Sequence, residues 1–222
     1  MMNNIRHIGI IPDGTRRWSK EHDFFLENAY IIAFDKLCSF IDTFYGCGIN
    51  SISVYLASSN NLLKRNQYDL TALDNSLCDF FQERLLKLLN KWHPQVVHVG
   101  LTQSISDFKF YRPLEEVLKE FSCGHKRLYL LMGYDPFEEI KATLDVSCKN
   151  MNENEMVARL WVPECLDIVL RTGDANTLSR FLPLQSSTAR VYFLGEMFND
   201  VTIEKLLSIL EEFKNLHLKF GE

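Results

Sequence analysis

The sequence predicts an α/β protein, a mainly parallel central sheet of about six strands flanked by helices. Two observations carry that expectation. Short β-branched and apolar runs alternate with longer segments whose apolar residues recur at helical spacing. No Pro/Gly/Ser-rich linker, repeat or low-complexity run interrupts the 222 residues, so 1–222 reads as a single domain.

Ile5 to Ile11 is a buried strand stopped by Pro12, and Glu27 to Tyr45 a helix ended by Gly46 and Gly48. Ser51 to Ala57 is the second strand, and Tyr68 to Trp92 a long amphipathic helix closed by His93-Pro94. Gln95 to Leu101, Arg127 to Met132, Leu166 to Leu170 and Ala189 to Phe193 supply the other strands. Tyr111 to Phe121, Pro136 to Cys148 and Ile203 to Phe213 are the remaining helices. In such sheets ligands bind beyond the carboxyl ends of the strands. Three polar segments fall there: Asp13 to Trp18, Ser58 to Arg65 and Arg171 to Arg180.

A net charge of −5 gives no global attraction for nucleic acid or anionic membranes, so any bound anion needs a local cluster of cations. No nucleic-acid partner is expected. The first apolar run, Ile8 to Ile11, is far too short to span a bilayer, and a soluble, cytoplasmic protein is expected. Cys38, Cys47, Cys78, Cys123, Cys148 and Cys165 show neither disulfide nor metal-ligand spacing; they read as reduced, mostly buried small hydrophobes.

The sharpest feature is Pro12 to Trp18, PDGTRRW. Aspartate followed by glycine permits a tight turn that aims amide N–H groups at an anion. Arg16 and Arg17 supply forked donors for phosphate oxygens, and Asp13 can hold a Mg²⁺ ion that bridges to a diphosphate. Taken alone, D-G-x-R-R fits a solvated surface turn as well. Neither a P-loop nor a dinucleotide-binding glycine fingerprint is present.

Three blocks in order resolve that ambiguity. HIGIIPDGTRRW (7–18) resembles the cis-prenyltransferase pattern H-I-A-x-I-M-D-G-N-x-R-W. VYLASSNNLLKR (54–65) is similar to L-Y-A-F-S-x-E-N-W-x-R, and residues 166–193 to the segment around R-T-G-G-x-x-R-L-S. The resemblance to the cis-prenyltransferases, typified by undecaprenyl diphosphate synthase, spans nearly the whole chain. It implies a sheet flanked by helices, a hydrophobic tunnel, a homodimer and an allylic isoprenoid diphosphate as substrate. It also implies residue roles: Asp13 binds Mg²⁺ and assists departure of the diphosphate, while Gly14, Thr15, Arg16 and Arg17 cradle it. Trp18 would stand beside the substrate and Asn61 near the reacting centre. Ser58 and Arg65 belong to the second block, and Arg171 and Ser179 match groups that hold the second diphosphate in chain-elongating members.

The departures bear on function. The pattern's arginine and histidine fall on Leu26 and Tyr30, its later arginine on Thr177, its tryptophan on Leu62, and its metal-binding glutamate on Arg190. A guanidinium at 190 removes a metal ligand and offers a cation to the diphosphate instead. Tyr30 then reads either as an orienting group for the nucleophile or as a packed helix tyrosine. This altered pattern resembles the atypical members tuberculosinyl adenosine transferase and cyclolavandulyl diphosphate synthase. The expected activity is therefore ionisation of an allylic diphosphate, with coupling head-to-middle to a second prenyl diphosphate or to another non-isopentenyl nucleophile. An ordinary chain-elongating synthase and a non-catalytic partner subunit are the alternatives.

Overall fold

A computed structural model describes residues 5–143 and 150–220. Its centre is a six-stranded sheet in the order β3-β4-β2-β1-β5-β6, with every pairing parallel. The strands are β1 (His7–Ile11), β2 (Ser51–Ser58), β3 (Gln95–Val99), β4 (Arg127–Tyr134), β5 (Ile168–Arg171) and β6 (Arg190–Phe193). β1 is buried along its entire length, as a central strand covered on both faces must be. That is why it reads as an unbroken apolar run rather than an alternating one.

The helices α1 (Thr15–Glu21) and α2 (Leu26–Gly46) lie between β1 and β2, and α3 (Ser59–Lys64) and α4 (Gln67–Asp79) follow β2. α5 (Leu85–Trp92) precedes β3, and α6 (Tyr111–Glu120) precedes β4. Then come α7 (Pro136–Thr143), α8 (Glu153–Val157) and the closing α9 (Ile203–Phe220). α2 buries Leu26, Ala29, Tyr30, Ala33, Phe34, Leu37, Phe40, Ile41, Phe44 and Tyr45, the i, i+3, i+4 stripe of a core-facing helix.

The differences from the sequence expectation have local causes. Two polar segments beyond the strands are helical. α3 forms because the Ser58 hydroxyl oxygen accepts the Asn61 N–H at 3.0 Å, an N-cap that a search for apolar periodicity does not register. The long helix expected from Tyr68 to Trp92 is split by a π-helical turn, Phe80–Arg84, which lets the consecutive Phe80 and Phe81 both face the core. β4 continues two residues past Met132, to Tyr134. The helix expected over Pro136 to Cys148 is seen to Thr143; residues 144–149, Cys148 among them, lie outside the described residues. The expectation of mostly buried cysteines fails: Cys38, Cys47 and Cys78 are half-buried, and Cys123 and Cys165 exposed.

At the amino end of the sheet, His7 is buried with its Nε2 2.8 Å from the Ser53 hydroxyl and its Nδ1 3.2 Å from the Cys165 carbonyl. Burial holds the imidazole below its ordinary pKa, against the opposing pull of Glu164. The unfolded chain takes the proton near pH 6.5 while the folded one does not, so stability is complete above that pH and declines as pH falls through it. In urea unfolding at pH 7.5 and 5.5, the native chain is expected to lose more stability on acidification than His7→Gln. Equal losses would show that His7 does not titrate in this way.

Candidate active site

Pro12 ends β1 and the chain turns at Gly14, whose φ of +107° places it in the left-handed region; it caps α1. A Cβ at this glycine would stand 2.8 Å from the Met197 Cβ, so the turn also needs the missing side chain. Asp13 is fixed on every side. Its N–H donates to the Thr172 hydroxyl (2.8 Å), and that hydroxyl donates back to the Asp13 carbonyl (2.8 Å). The Gly14 N–H donates to Asp13 Oδ1 at 2.7 Å, and the Arg171 Nη2 donates to Asp13 Oδ2 at 2.6 Å. Since β1 and β5 are register neighbours with Ile11 opposite Arg171, the sheet itself delivers the aspartate to the arginine.

Around this pair lies a cavity of about 370 Å³ at the carboxyl edge of the sheet. Gly14, Thr15, Arg16, Tyr30, Ser58, Asn61, Arg65, Arg171 and Ser179 all line it together with Asp13, so ten of the residues singled out from the sequence converge. The three polar segments meet there as expected. Arg17 stands just behind the wall: its Nη2 donates to the Gly173 carbonyl and lies 4.0 Å from Asp13 Oδ1.

Two further sequence candidates, besides Arg17, do not join the lining. Trp18 turns to the other side of α1, where its Nε1 donates to Asp200 at 2.7 Å and its ring stacks on His22. Arg190 opens β6 opposite Ile168, three residues and roughly 10 Å of strand before the level of Arg171. It is exposed there, 3.8 Å from Glu212 and over the Tyr192 ring. Parallel register places Arg190 at the end of the strand away from this cavity, so the expectation that it offers a cation there is not met.

The mouth is cationic and tightly networked. Arg16 pairs with Asp69 at 3.0 Å. Arg65 Nη1 donates to the Tyr30 hydroxyl at 2.9 Å, and its Nε is buried without a partner. Because Arg65 can only donate, the Tyr30 oxygen accepts and its own hydrogen remains available. Burial raises the Tyr30 pKa despite Arg65, so the phenol stays protonated. Arg171 is almost fully buried, donates by Nη1 to the Ser179 hydroxyl (3.2 Å), and leaves its Nε unpaired. Burial pushes the Tyr55 phenol up to about 12.

Beneath the mouth the lining turns apolar, with Ile11, Ala33, Phe34, Leu37, Leu56, Leu73 and Phe198. Phe34 is backed by a 4.7 Å stack on Phe80 in the π-helical turn. Where the resemblance implies a tunnel, the structure has this apolar-floored cavity, at the lower end of the roughly 300–1,000 Å³ usual for small-molecule sites. Sequence reasoning missed Tyr55, Tyr134, Asp135 and Arg180 in the lining. Arg180 was inside a flagged segment, but nothing in its type or spacing distinguished it. Tyr134 required the correct end of β4.

Mg²⁺ fits only in part. Among the described residues no group of three His, Cys, Asp or Glu side chains is assembled to hold a metal. Mg²⁺ commonly sits on one or two carboxylates plus substrate phosphates. Asp13, partly exposed toward the cavity, meets that lower requirement for an ion that arrives with a diphosphate.

A cationic mouth over an apolar floor, at the carboxyl edge of a parallel sheet, suits an anionic head on a hydrocarbon tail. The profile of the family described as putative undecaprenyl diphosphate synthase matches residues 11–221, and the chain belongs to that family, whose members are prenyltransferases acting on allylic diphosphates. Among its relatives, the isoprenyl transferase of Campylobacter jejuni is 25% identical over 224 residues, with 100% of both chains covered. The Aeropyrum pernix tritrans,polycis-undecaprenyl-diphosphate synthase (geranylgeranyl-diphosphate specific) is 28% identical, covering 99% of this chain and 100% of that one. Of solved structures, lavandulyl diphosphate synthase from Lavandula x intermedia, in complex with dimethylallyl diphosphate, shares the fold at a TM-score of 0.79, 19% identity and 94% coverage of each chain. A probable undecaprenyl diphosphate synthase from Campylobacter jejuni gives 0.76 at 25% identity, with both chains fully covered. Among the described residues no helix is long and apolar enough to cross a membrane.

Gly173 is as tight a point of the site as Gly14. Its φ is +84°, and a Cβ there would stand 2.8 Å from Arg17 Nη2 and 2.9 Å from the Asp13 carbonyl. Gly173→Ala is expected to cost about 1–3 kcal/mol in chemical unfolding, from backbone strain and displacement of Asp13. A loss below about 0.5 kcal/mol, the range of ordinary surface substitutions, would contradict this packing.

Proposed function

We propose that the chain ionises a short allylic diphosphate and couples its prenyl group to an acceptor other than isopentenyl diphosphate, either head-to-middle to a second prenyl diphosphate or to another nucleophile. The observation that carries the reading is the two-part cavity, arginines and Asp13 above, apolar side chains ending at Phe34 below. Its modest volume favours a short donor such as dimethylallyl or geranyl diphosphate. The acceptor side rests on what the cavity lacks. Leu26, Thr177 and Arg190, where the ordinary pattern carries two arginines and a metal-binding glutamate, are all absent from its lining.

In this mechanism the allylic C–O bond breaks and its electron pair leaves with the diphosphate. Arg16, Arg65 and Arg171 offer guanidinium donors to the oxygens as charge grows on them, each such preorganised donor being worth about 3 kcal/mol in the transition state. Asp13 holds Arg171 in place and would hold Mg²⁺ carried in by the diphosphate; when bound, that ion supplies further neutralisation of the leaving group. Tyr30 keeps its proton and directs it to an oxygen of the diphosphate or the acceptor. Phe34, Tyr55 and Tyr134 exclude water from the allylic cation, and a ring face adds roughly 0.5–2 kcal/mol. The acceptor's electrons then form the new bond, and the proton it sheds leaves with the diphosphate. A cytoplasmic homodimer is the setting we infer.

A second reading, ordinary elongation with isopentenyl diphosphate, is favoured by the names of the Campylobacter and Aeropyrum relatives. Incubation with dimethylallyl, geranyl, farnesyl and geranylgeranyl diphosphates, with and without isopentenyl diphosphate and Mg²⁺, separates the two by product mass. Products without isopentenyl diphosphate are expected; elongated chains formed only in its presence would replace the proposal by the second reading. Asp13→Asn is expected to slow diphosphate release about 100-fold or more, and Arg171→Gln by a similar factor. Turnover near the native rate in either variant would remove that residue from the mechanism.

A further inference from the structure

Tyr30, Phe34, Tyr55, Tyr134 and Phe198 are the rings in the cavity lining, and the phenols among them end on different partners. Tyr30 has its hydroxyl on a cation, Arg65. Tyr55 turns its own to the Ser179 carbonyl at 3.4 Å. Tyr134, at the end of β4, donates instead to a carboxylate, with Glu139 Oε2 2.5 Å from its hydroxyl. A bond this short is the mark of a hydroxyl donating to an ionised oxygen.

Glu139 lies in the first turn of α7, where the helix dipole favours an anion, and only 1% of its surface is exposed. Its Oε1 accepts the Trp161 N–H at 2.9 Å and the Gln185 Nε2 at 3.0 Å. All three partners are neutral donors, the set a carboxylate needs, and none of them cancels its charge. Burying a charge on neutral donors costs more than an apolar side chain would, so packing alone does not account for it. Burial, reinforced by the carboxylate, raises the Tyr134 pKa, so the phenol keeps its proton and shares it with Glu139. The ring itself is held nearly at right angles to Tyr55 and to Trp161, with centroids 6.1 and 6.3 Å away.

We infer that Tyr134 is the ring that meets the allylic cation, and that Glu139 is a positioning residue which fixes this ring and enriches it in negative charge. The inference rests on the prenyl-transfer reading and deepens it. When the C–O bond breaks, its electron pair leaves with the diphosphate and the hydrocarbon keeps the positive charge. The ring bonded to a cation, Tyr30, stands with the arginines that suit the diphosphate. The ring bonded to an anion, Tyr134, is the one suited to the carbon. A phenol donating to a carboxylate attracts a cation more strongly than a free one, and the field of the carboxylate acts through a buried wall.

The test compares two unreactive ligands of the full chain by calorimetry. One is the thiolo analogue of dimethylallyl diphosphate, with a neutral tail. The other is dimethylaminoethyl diphosphate, whose ammonium stands where the tertiary carbon of the cation would be. The native chain is expected to bind the ammonium compound about tenfold more tightly. Glu139→Gln should remove about fivefold or more of that preference while moving the Kd of the thiolo analogue less than twofold. Tyr134→Phe, which keeps the ring and drops the bond, should lose part of it. With phenylalanines carrying one, two and three fluorines at position 134, affinity for the ammonium should fall stepwise, a trend that a purely structural role would not produce. Equal binding of both compounds by the native chain, equal weakening of both by Glu139→Gln, or no trend with fluorine would each overturn the assignment. Should Glu139→Gln not fold, Tyr134→Phe and the fluorine series decide the matter. If the native chain binds neither compound, the prenyl-transfer reading fails, and this inference with it.

Discussion

The join between the ends of β1 and β5 is the constraint on which the site depends. Asp13 and Thr172 exchange two hydrogen bonds between their backbone and hydroxyl groups, and the Asp13 carboxylate takes the buried Arg171 guanidinium at 2.6 Å. An arginine this deeply buried is tolerable only with its charge paired, and the aspartate would not face the cavity without the glycine turn that follows it. Gly14 and Gly173 occupy the two closest approaches, where any side chain would strike Met197, Arg17 or Asp13. The sheet supplies the proximity, the glycines supply the clearance, and the ion pair fixes the geometry. Arg16, Arg17 and Ser179 take their positions from that frame.

The chemistry follows from how charge and apolar surface are separated within one cavity. Arginines outnumber the carboxylates that pair with them: Arg65 has the Tyr30 hydroxyl as its hydrogen-bond partner, and Arg180 holds Asp135 only loosely. Leaving cations half-desolvated costs free energy in the empty protein, and an anionic ligand recovers it. A diphosphate would be such a ligand, and Phe34, Leu37 and Leu73 line the same cavity as the arginines. The same arrangement keeps the tail end dry, which an allylic cation requires if water is not to intercept it.

Much of this was legible in the sequence because the relevant information is local or periodic. Unbroken apolar strands, the α2 stripe and the polar segments at strand ends gave the layer order and the edge where the site lies. The glycine turn with paired arginines pointed to the candidate anion site. What escaped depends on relations between distant residues. The N-cap at Ser58 turned a polar stretch into α3. Trp18 shares a heptapeptide with Arg16, yet helical rotation sends it to Asp200 instead. Arg190 belongs to a segment matching the family, but the position of a residue along a parallel strand decides which end of the sheet it serves, and register is not written in one strand alone.

The fate of the altered positions bears on how the family's chemistry is redistributed here. A carboxylate replaced by Arg190, and arginines replaced by Leu26 and Thr177, would be crippling if each had remained in the lining. None does. Leu26 is instead part of the buried core, and Arg190 is paired with Glu212 outside the cavity. The positive charge is supplied from other positions, Arg65 beside Tyr30 on one wall and Arg180 on the other. With Asp13 shared between Arg171 and any metal ion, and Asp135 at the rim beside Arg180, guanidinium groups would carry more of the stabilisation of a leaving diphosphate. Guanidinium donors are already oriented before substrate arrives, whereas an ion held by one carboxylate must be positioned by the diphosphate itself. On the proposed reading, a site arranged this way depends less on metal than one with a full carboxylate set.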